Sequence, residues 1–217
     1  PTNTVTGRGT ASIDVVPDLV GVYFSIETTG DTSQEATQEN AEIVDDLISD
    51  LMKKGFDRKE ITTLNFNVYP DYTWDRNGER QDNGYRATHM LKVELSTEQS
   101  ALIGTVIDSG VEAGAGISSI NFELSQEKQN EYKAEAIKLA AEDSRIKAQA
   151  IAEGLGKELG KLVSTSDSDF EYYPWPIYAT AEAGMAGDAA IAKEVSTNIQ
   201  PGEQQINAQV TAVFRLK

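Results

Sequence analysis

Histidine is the side chain best suited to exchanging protons near neutral pH, and this chain of 217 residues has one, His89. Tyr85, Ala87, His89, Leu91, Val93 and Leu95 fall on one side of an alternating segment, so His89 is expected on the inner face of a strand. No serine or acid lies at a spacing that identifies a triad, and no HExxH, Walker loop or GxSxG occurs. The residues therefore predict a satisfied structural histidine and no catalytic residue. A hydrolase using His89 with a neighbouring carboxylate is the competing expectation. A second pair of chemically useful groups, Asp143 and Lys147, is separated by one helical turn, which predicts an intrahelical ion pair at the edge of a buried face.

Metal and cofactor chemistry finds little to work with. The chain has no cysteine, which rules out disulfides, thiol nucleophiles and sulfur-ligated zinc, and a single histidine leaves only carboxylates for a transition metal. For calcium, the loop starting at Asp75 carries Asn77 and Gly78 but has Arg80 where the EF-hand loop needs its glycine. Solvated turns are expected there and at Asp167 and Asp169, with no metal and no cofactor. Gly7 and Gly9 lie inside a strand pattern with no helix after it, so they predict close approach of a helix and not a phosphate cradle.

Large aromatic side chains supply another kind of chemistry. Phe170, Tyr172, Tyr173, Trp175 and Tyr178 are interleaved with Pro174 and Pro176 in an arm, 169–205, that has no sustained period. Prolines keep such a segment extended, which lowers the entropy lost on docking, and tyrosine and tryptophan dominate protein interfaces. These five are the candidate interaction residues. The arm could meet a partner, form a groove for a ligand or peptide, or fold back over its own sheet.

Thirty-five acidic residues against nineteen basic ones give a net charge of −16. Such a surface repels phosphate backbones and anionic lipid, so nucleic-acid and membrane-surface binding are poor expectations. The longest apolar run, 19–24, is far too short to span a bilayer. The chain opens on Pro1 and not on methionine, and a leader removed before it is expected.

The elements that must position these residues are legible in part. The stretch 126–164 begins with an amphipathic helix whose inner side is expected to hold Tyr132, Ala136, Leu139, Ala140, Ile146, Ala150 and Ile151, with Gly154 and Gly156 stopping it. Small side chains there predict close packing on a sheet. Alternation in 5–15 and 20–26 predicts two strands joined at Pro17 and Asp18 as an antiparallel hairpin. Thr32 and Glu35 open a helix that carries Ile43, Val44, Leu47, Ile48 and Leu51 inward, and Ser96 and Thr97 open another. A polar loop is expected over 71–84, and clear alternation closes the chain at 206–216. The segment 61–68, ITTLNFNV, resembles 117–124, ISSINFEL, and each follows a helix, which suggests two related helix-strand halves. Seven strands and three helices packed on one face predict an α+β protein.

Four segments, in this order, resemble the SIMPL-domain family: VTGRGTASIDVVPDLVGVYFSIET at the start, the INF strand at 120–122, the alanine-rich helix running into AEGLGKELGKL, and the closing IQPGEQQINAQVTAVFRL. The resemblance covers nearly the whole chain and implies one domain over 1–217. It implies an α+β fold, an exported cell-envelope location (periplasmic, cell surface or secreted), and self-association, since some members resemble channel-like rings. Bacterial members are linked to oxidative-stress tolerance or recognised as surface antigens. The family has no agreed catalytic residues, so the resemblance assigns none, and a non-enzymatic homo-oligomer is the expectation.

Overall fold

The computed structural model describes residues 3–167, the backbone of 175–177, and 203–217. The chain is α+β, with seven strands of eight residues or more, a three-residue strand and three α-helices among the described residues, in two antiparallel sheets. It divides into two compact units, each made of non-contiguous segments.

The first unit holds a three-stranded sheet in the order β1-β8-β6: β1 is Thr4–Val15, β6 Leu159–Asp167 and β8 Gln204–Leu216. Helix α3, Gln126–Gly154, lies against it and buries Ala136, Ala140, Ser144, Ala148 and Ala152, a stripe at strict four-residue spacing. Beneath that stripe run Gly7 and Gly9 of β1. A Cβ at Gly7 would stand 1.9 Å from the Ser144 carbonyl oxygen, and one at Gly9 1.9 Å from that of Ala140. Backbone meets backbone here, which only a face of glycine against a face of alanine and serine permits. The seven-residue inner face expected for this helix is corrected in part: Leu139, Ile146, Ala150 and Ile151 are exposed, Ile146 at 59%. Weighing hydrophobicity around the helical wheel pulls the expected face toward leucine and isoleucine, whereas space selects the alanines.

The second unit holds β2 (Leu19–Gly30), α1 (Ser33–Lys53), β3 (Ile61–Trp74), β4 (Arg80–Ser96), α2 (Ile103–Ala113), β5 (Gly116–Glu123) and the short β7 (Trp175–Ile177). Its sheet order is β3-β4-β2-β5-β7. The units β2-α1-β3 and β4-α2-β5 interlock, each leaving room for a strand of the other, which is the split βαβ arrangement. The two similar segments 61–68 and 117–124 thus occupy equivalent places, outside β4 and outside β2. Val20, Val22, Phe24, Ile26, Leu91, Val93 and Leu95 form one core with Leu47 and Leu51 of α1 and Val106 and Ile107 of α2. The three helices are therefore divided, with α3 on the three-stranded sheet and α1 and α2 on the five-stranded one.

Two local expectations are corrected. The first two strands do not form a hairpin: β1 pairs with β8 from Thr4↔Arg215 to Val15↔Gln204, and β2 pairs with β4 and β5. Small residues on β1 suit the alanine stripe of α3, while the large ones on β2 need the leucines and valines of α1 and α2, so Pro17 marks the crossing between units. The polar loop over 71–84 is mostly strand, since β3 and β4 pair out to Trp74↔Arg80 around a short turn. Residues of a two-stranded ribbon solvated on both faces look like loop residues in a sequence.

Helix ends follow the cap residues. Thr32 and Glu35 complete a reciprocal capping box on α1, and Gly55 follows it with φ +97°. Ser96 caps a short 3₁₀ turn, Thr97–Leu102, that leads into α2, and Gly114 closes α2 with φ +87°.

Candidate functional site

His89 lies on the helix-facing side of β4, where Asn40 of α1 and Thr63 of β3 reach it. Asn40 is fully buried, and its Nδ2 donates to the Ile26 carbonyl oxygen at 3.0 Å. That contact orients the amide so that its Oδ1 faces His89 Nδ1 at 3.2 Å. An oxygen can only accept, so Nδ1 carries the proton and Nε2 presents its lone pair to the Thr63 hydroxyl at 3.0 Å. Phe66 packs edge-on against the imidazole, with ring centroids 5.2 Å apart. Burial holds the His89 pKa below its ordinary value, so the ring is neutral near pH 7. The histidine is satisfied, as expected, and one of its partners is an exposed hydroxyl.

On the opposite face of the same sheet, Tyr23, Lys92 and Glu123 close over Gly21. Lys92 Nζ donates to Glu123 Oε2 at 2.6 Å and to Glu94 Oε2 at 2.8 Å, and the Tyr23 hydroxyl donates to Glu123 Oε1. The side chains of Lys92 and Glu123 are only 15% and 11% exposed. Burial alone would lower the Lys92 pKa, but its two carboxylate partners outweigh it and hold the ammonium above its usual range. The Tyr23 hydroxyl is pushed up by burial and then by Glu123. Gly21 provides the floor, since a Cβ there would come within 2.9 Å of both Glu123 Oε1 and Lys92 Cε. With a lysine between two carboxylates and a tyrosine on one of them, the cluster is a structural clamp across β2, β4 and β5.

Asp143 and Lys147 do form an ion pair within α3, at 2.6 Å. Asp143 Oδ2 also accepts from the Thr10 backbone N–H at 2.9 Å, so the carboxylate binds the outer edge of β1. Lys147, then Thr10, holds the Asp143 pKa below its ordinary value. Asp75 Oδ1 accepts from the backbone N–H groups of Asn77 and Glu79, at 2.8 and 2.9 Å, and so serves the β3-β4 turn.

Of the candidate interaction residues, Phe170, Tyr172, Tyr173 and Tyr178 lie outside the described residues. The backbone of Trp175 belongs to β7, which pairs with β5 from Phe122↔Trp175 to Ile120↔Ile177. Part of the arm thus covers one edge of the five-stranded sheet. No described residue pairs with the outer side of β3, the other edge. Along β3, Leu64, Phe66, Tyr69, Tyr72 and Trp74 are exposed, Trp74 at 65%, and the only charged residue among its fourteen is Asp71. This edge was not singled out from the sequence. The available signal was a run of Thr, Leu, Phe, Val, Tyr and Trp with one charge, interrupted by Pro70.

The family model for SIMPL, protein of unknown function (DUF541), matches residues 5–214. This chain belongs to the SIMPL family. It is 29% identical over 210 residues to the uncharacterized protein YggE of Escherichia coli K12, covering 96% of this chain and 81% of that protein. It is 27% identical over 197 residues to YggE of Edwardsiella ictaluri, covering 89% and 81%. To the 26 kDa periplasmic immunogenic protein of Brucella melitensis it is 26% identical over 217 residues, covering 98% and 84%. No helix among the described residues is long and apolar enough to cross a membrane.

Proposed function

We propose that this SIMPL protein is exported to the cell envelope and works by assembling with copies of itself, not by turning over a substrate. The observation that carries the reading is the outer side of β3. It offers backbone groups with which no described residue pairs, beside exposed Leu64, Phe66, Tyr69, Tyr72 and Trp74, without the lysines that natural edge strands use to repel one another. Pro70 and the bulges at Leu64 and Asp71 limit an added strand to 65–69. The side-chain contacts on either side would supply the rest. The Brucella relative's name, a periplasmic immunogenic protein, supports the envelope location.

A net charge of −16 opposes close approach of copies, so association should strengthen as salt rises from about 0.05 to 0.5 M. Hydrogen exchange on the full chain tests the interface. The amides of 65–69 should become more protected as protein concentration rises, while those of the β3-β4 turn stay unchanged. Protection of 65–69 that is independent of concentration would contradict the reading.

A further inference from the structure

The His89 network has an element that a merely satisfied histidine does not need. Buried Asn40 fixes the ring's tautomer, Nε2 offers a lone pair, and the group it faces is an exposed hydroxyl on an edge strand. Orienting amide, neutral imidazole and hydroxyl stand in the order by which hydroxyl nucleophiles are activated. The bulge adds a second observation. The register of β3 on β4 passes from Thr63↔Leu91 to Asn65↔Met90, leaving Leu64 without a cross-strand partner directly after the hydroxyl residue. Bulges re-aim side chains at the edges of sheets, and the amide following a nucleophile is a recurrent donor to the oxyanion formed there.

We propose that Thr63 is an acylation site, its hydroxyl activated by His89, with Asn40 as the positioning residue, and that it takes acyl groups from activated esters. This goes beyond the assembly reading and does not depend on it, because a single modification needs no turnover. As Thr63 Oγ1 bonds to the acyl carbon, its proton passes to His89 Nε2. The carbon–oxygen bond to the leaving alcohol then breaks, His89 returns the proton to that oxygen, and Thr63 keeps the acyl group as an ester. The lowered pKa of His89 leaves the ring able to accept a proton in mildly acidic as well as neutral solution. Its contacts Asn40, Thr63 and Phe66 bear no charge, so the imidazolium formed in the step has no counter-ion among them and gives its proton back readily to the leaving oxygen.

The probe is 4-nitrophenyl acetate on the full chain, with peptide mass mapping to locate the acetyl group and circular dichroism to verify folding. Acetyl should accumulate on Thr63 ahead of every other hydroxyl. It should vanish in Thr63→Val, which keeps a β-branched side chain, and form roughly 100-fold more slowly in His89→Gln, the scale of a lost general base. The rate should rise with pH at a midpoint below the ordinary histidine value. Asn40→Asp should move that midpoint upward, because a carboxylate at Nδ1 stabilises the imidazolium. A midpoint that does not move would show that His89 is not the base whose protonation limits the rate, and would count against the proposal. Thr63 acetylated no faster than other threonines, or a Thr63 rate unchanged in folded His89→Gln, would overturn the proposal. Should Asn40→Asp fail to fold, the Thr63 and His89 variants decide it.

Discussion

Replacing Gly9 by alanine asks whether α3 rests on β1 as tightly as the backbone geometry requires. The new Cβ would sit 1.9 Å from the Ala140 carbonyl oxygen and 2.3 Å from the Ser144 nitrogen, both backbone atoms that cannot rotate away. Reaching ordinary contact at about 3.4 Å takes a retreat of about 1.5 Å, the difference between the two distances. A helix that backs off that far loosens the contacts of Ala136, Ala140, Ser144, Ala148 and Ala152 together. Overpacking of a rigid interior costs about 1–3 kcal/mol, and a clash with main chain belongs at or above the top of that range. For a protein of this size, about 3 kcal/mol lowers Tm by roughly 6–12 °C.

The matched control is Gly104→Ala. Gly104 lies in α2, a Cβ there meets nothing within 4 Å, and alanine favours helix by about 0.5–1 kcal/mol. Urea titration followed by circular dichroism should show Gly9→Ala with a clearly lower midpoint and Gly104→Ala with an equal or higher one. A Gly9→Ala protein whose midpoint coincides with that of the parent would refute the close packing of helix on sheet.

Three further outcomes follow from the second unit. Lys92→Met should cost about 3–5 kcal/mol in urea unfolding, because it leaves Glu123 buried with Tyr23 as its remaining partner. Adding Glu123→Gln to Lys92→Met should recover part of that loss, and a double variant less stable than the single one would count against a buried charge as the cause. His89 has a folded pKa below its unfolded value of about 6.5, so its neutral form contributes stability that is fully present above that pH and declines as pH falls toward the folded value. The parent should therefore lose stability as pH falls below about 6.5 more steeply than His89→Gln, and parallel curves would show that His89 is not the group responsible.

Where local chemistry decides structure, the chain could be read directly. Thr32 with Glu35, and Ser96 before the turn that leads into α2, mark helix starts because cap residues satisfy nearby backbone groups, whatever the distant chain does. Alternation exposed β1 and β8 for the same reason. What stayed hidden is long-range. Nothing within 5–26 says that β1 will pair with residues near the far end of the chain, so the near neighbour looked like the partner. On α3, side-chain size and not hydrophobicity selects the buried stripe, which left Leu139 and Ile146 on the wrong side of the expectation.

The parity of β4 put His89 on its true face, yet Asn40 and Thr63 reach it only through tertiary folding and form no linear motif. The open edge of β3 was missed because an edge is defined by which strands are absent beside it. Asp143 reached Lys147 as its spacing predicts, while its bond to Thr10 depends on α3 lying along β1.

Assembly through β3 is tested most directly by the native mass of the full chain at tens of micromolar, measured beside a variant carrying Leu64→Lys and Tyr69→Lys. Both positions are exposed, so the fold should tolerate the change, and the two lysines restore the charge that β3 lacks. The parent should appear as a multiple of 23.6 kDa and the variant as a single chain. A parent that is strictly monomeric, or a variant with the same oligomeric mass as the parent, would contradict the account.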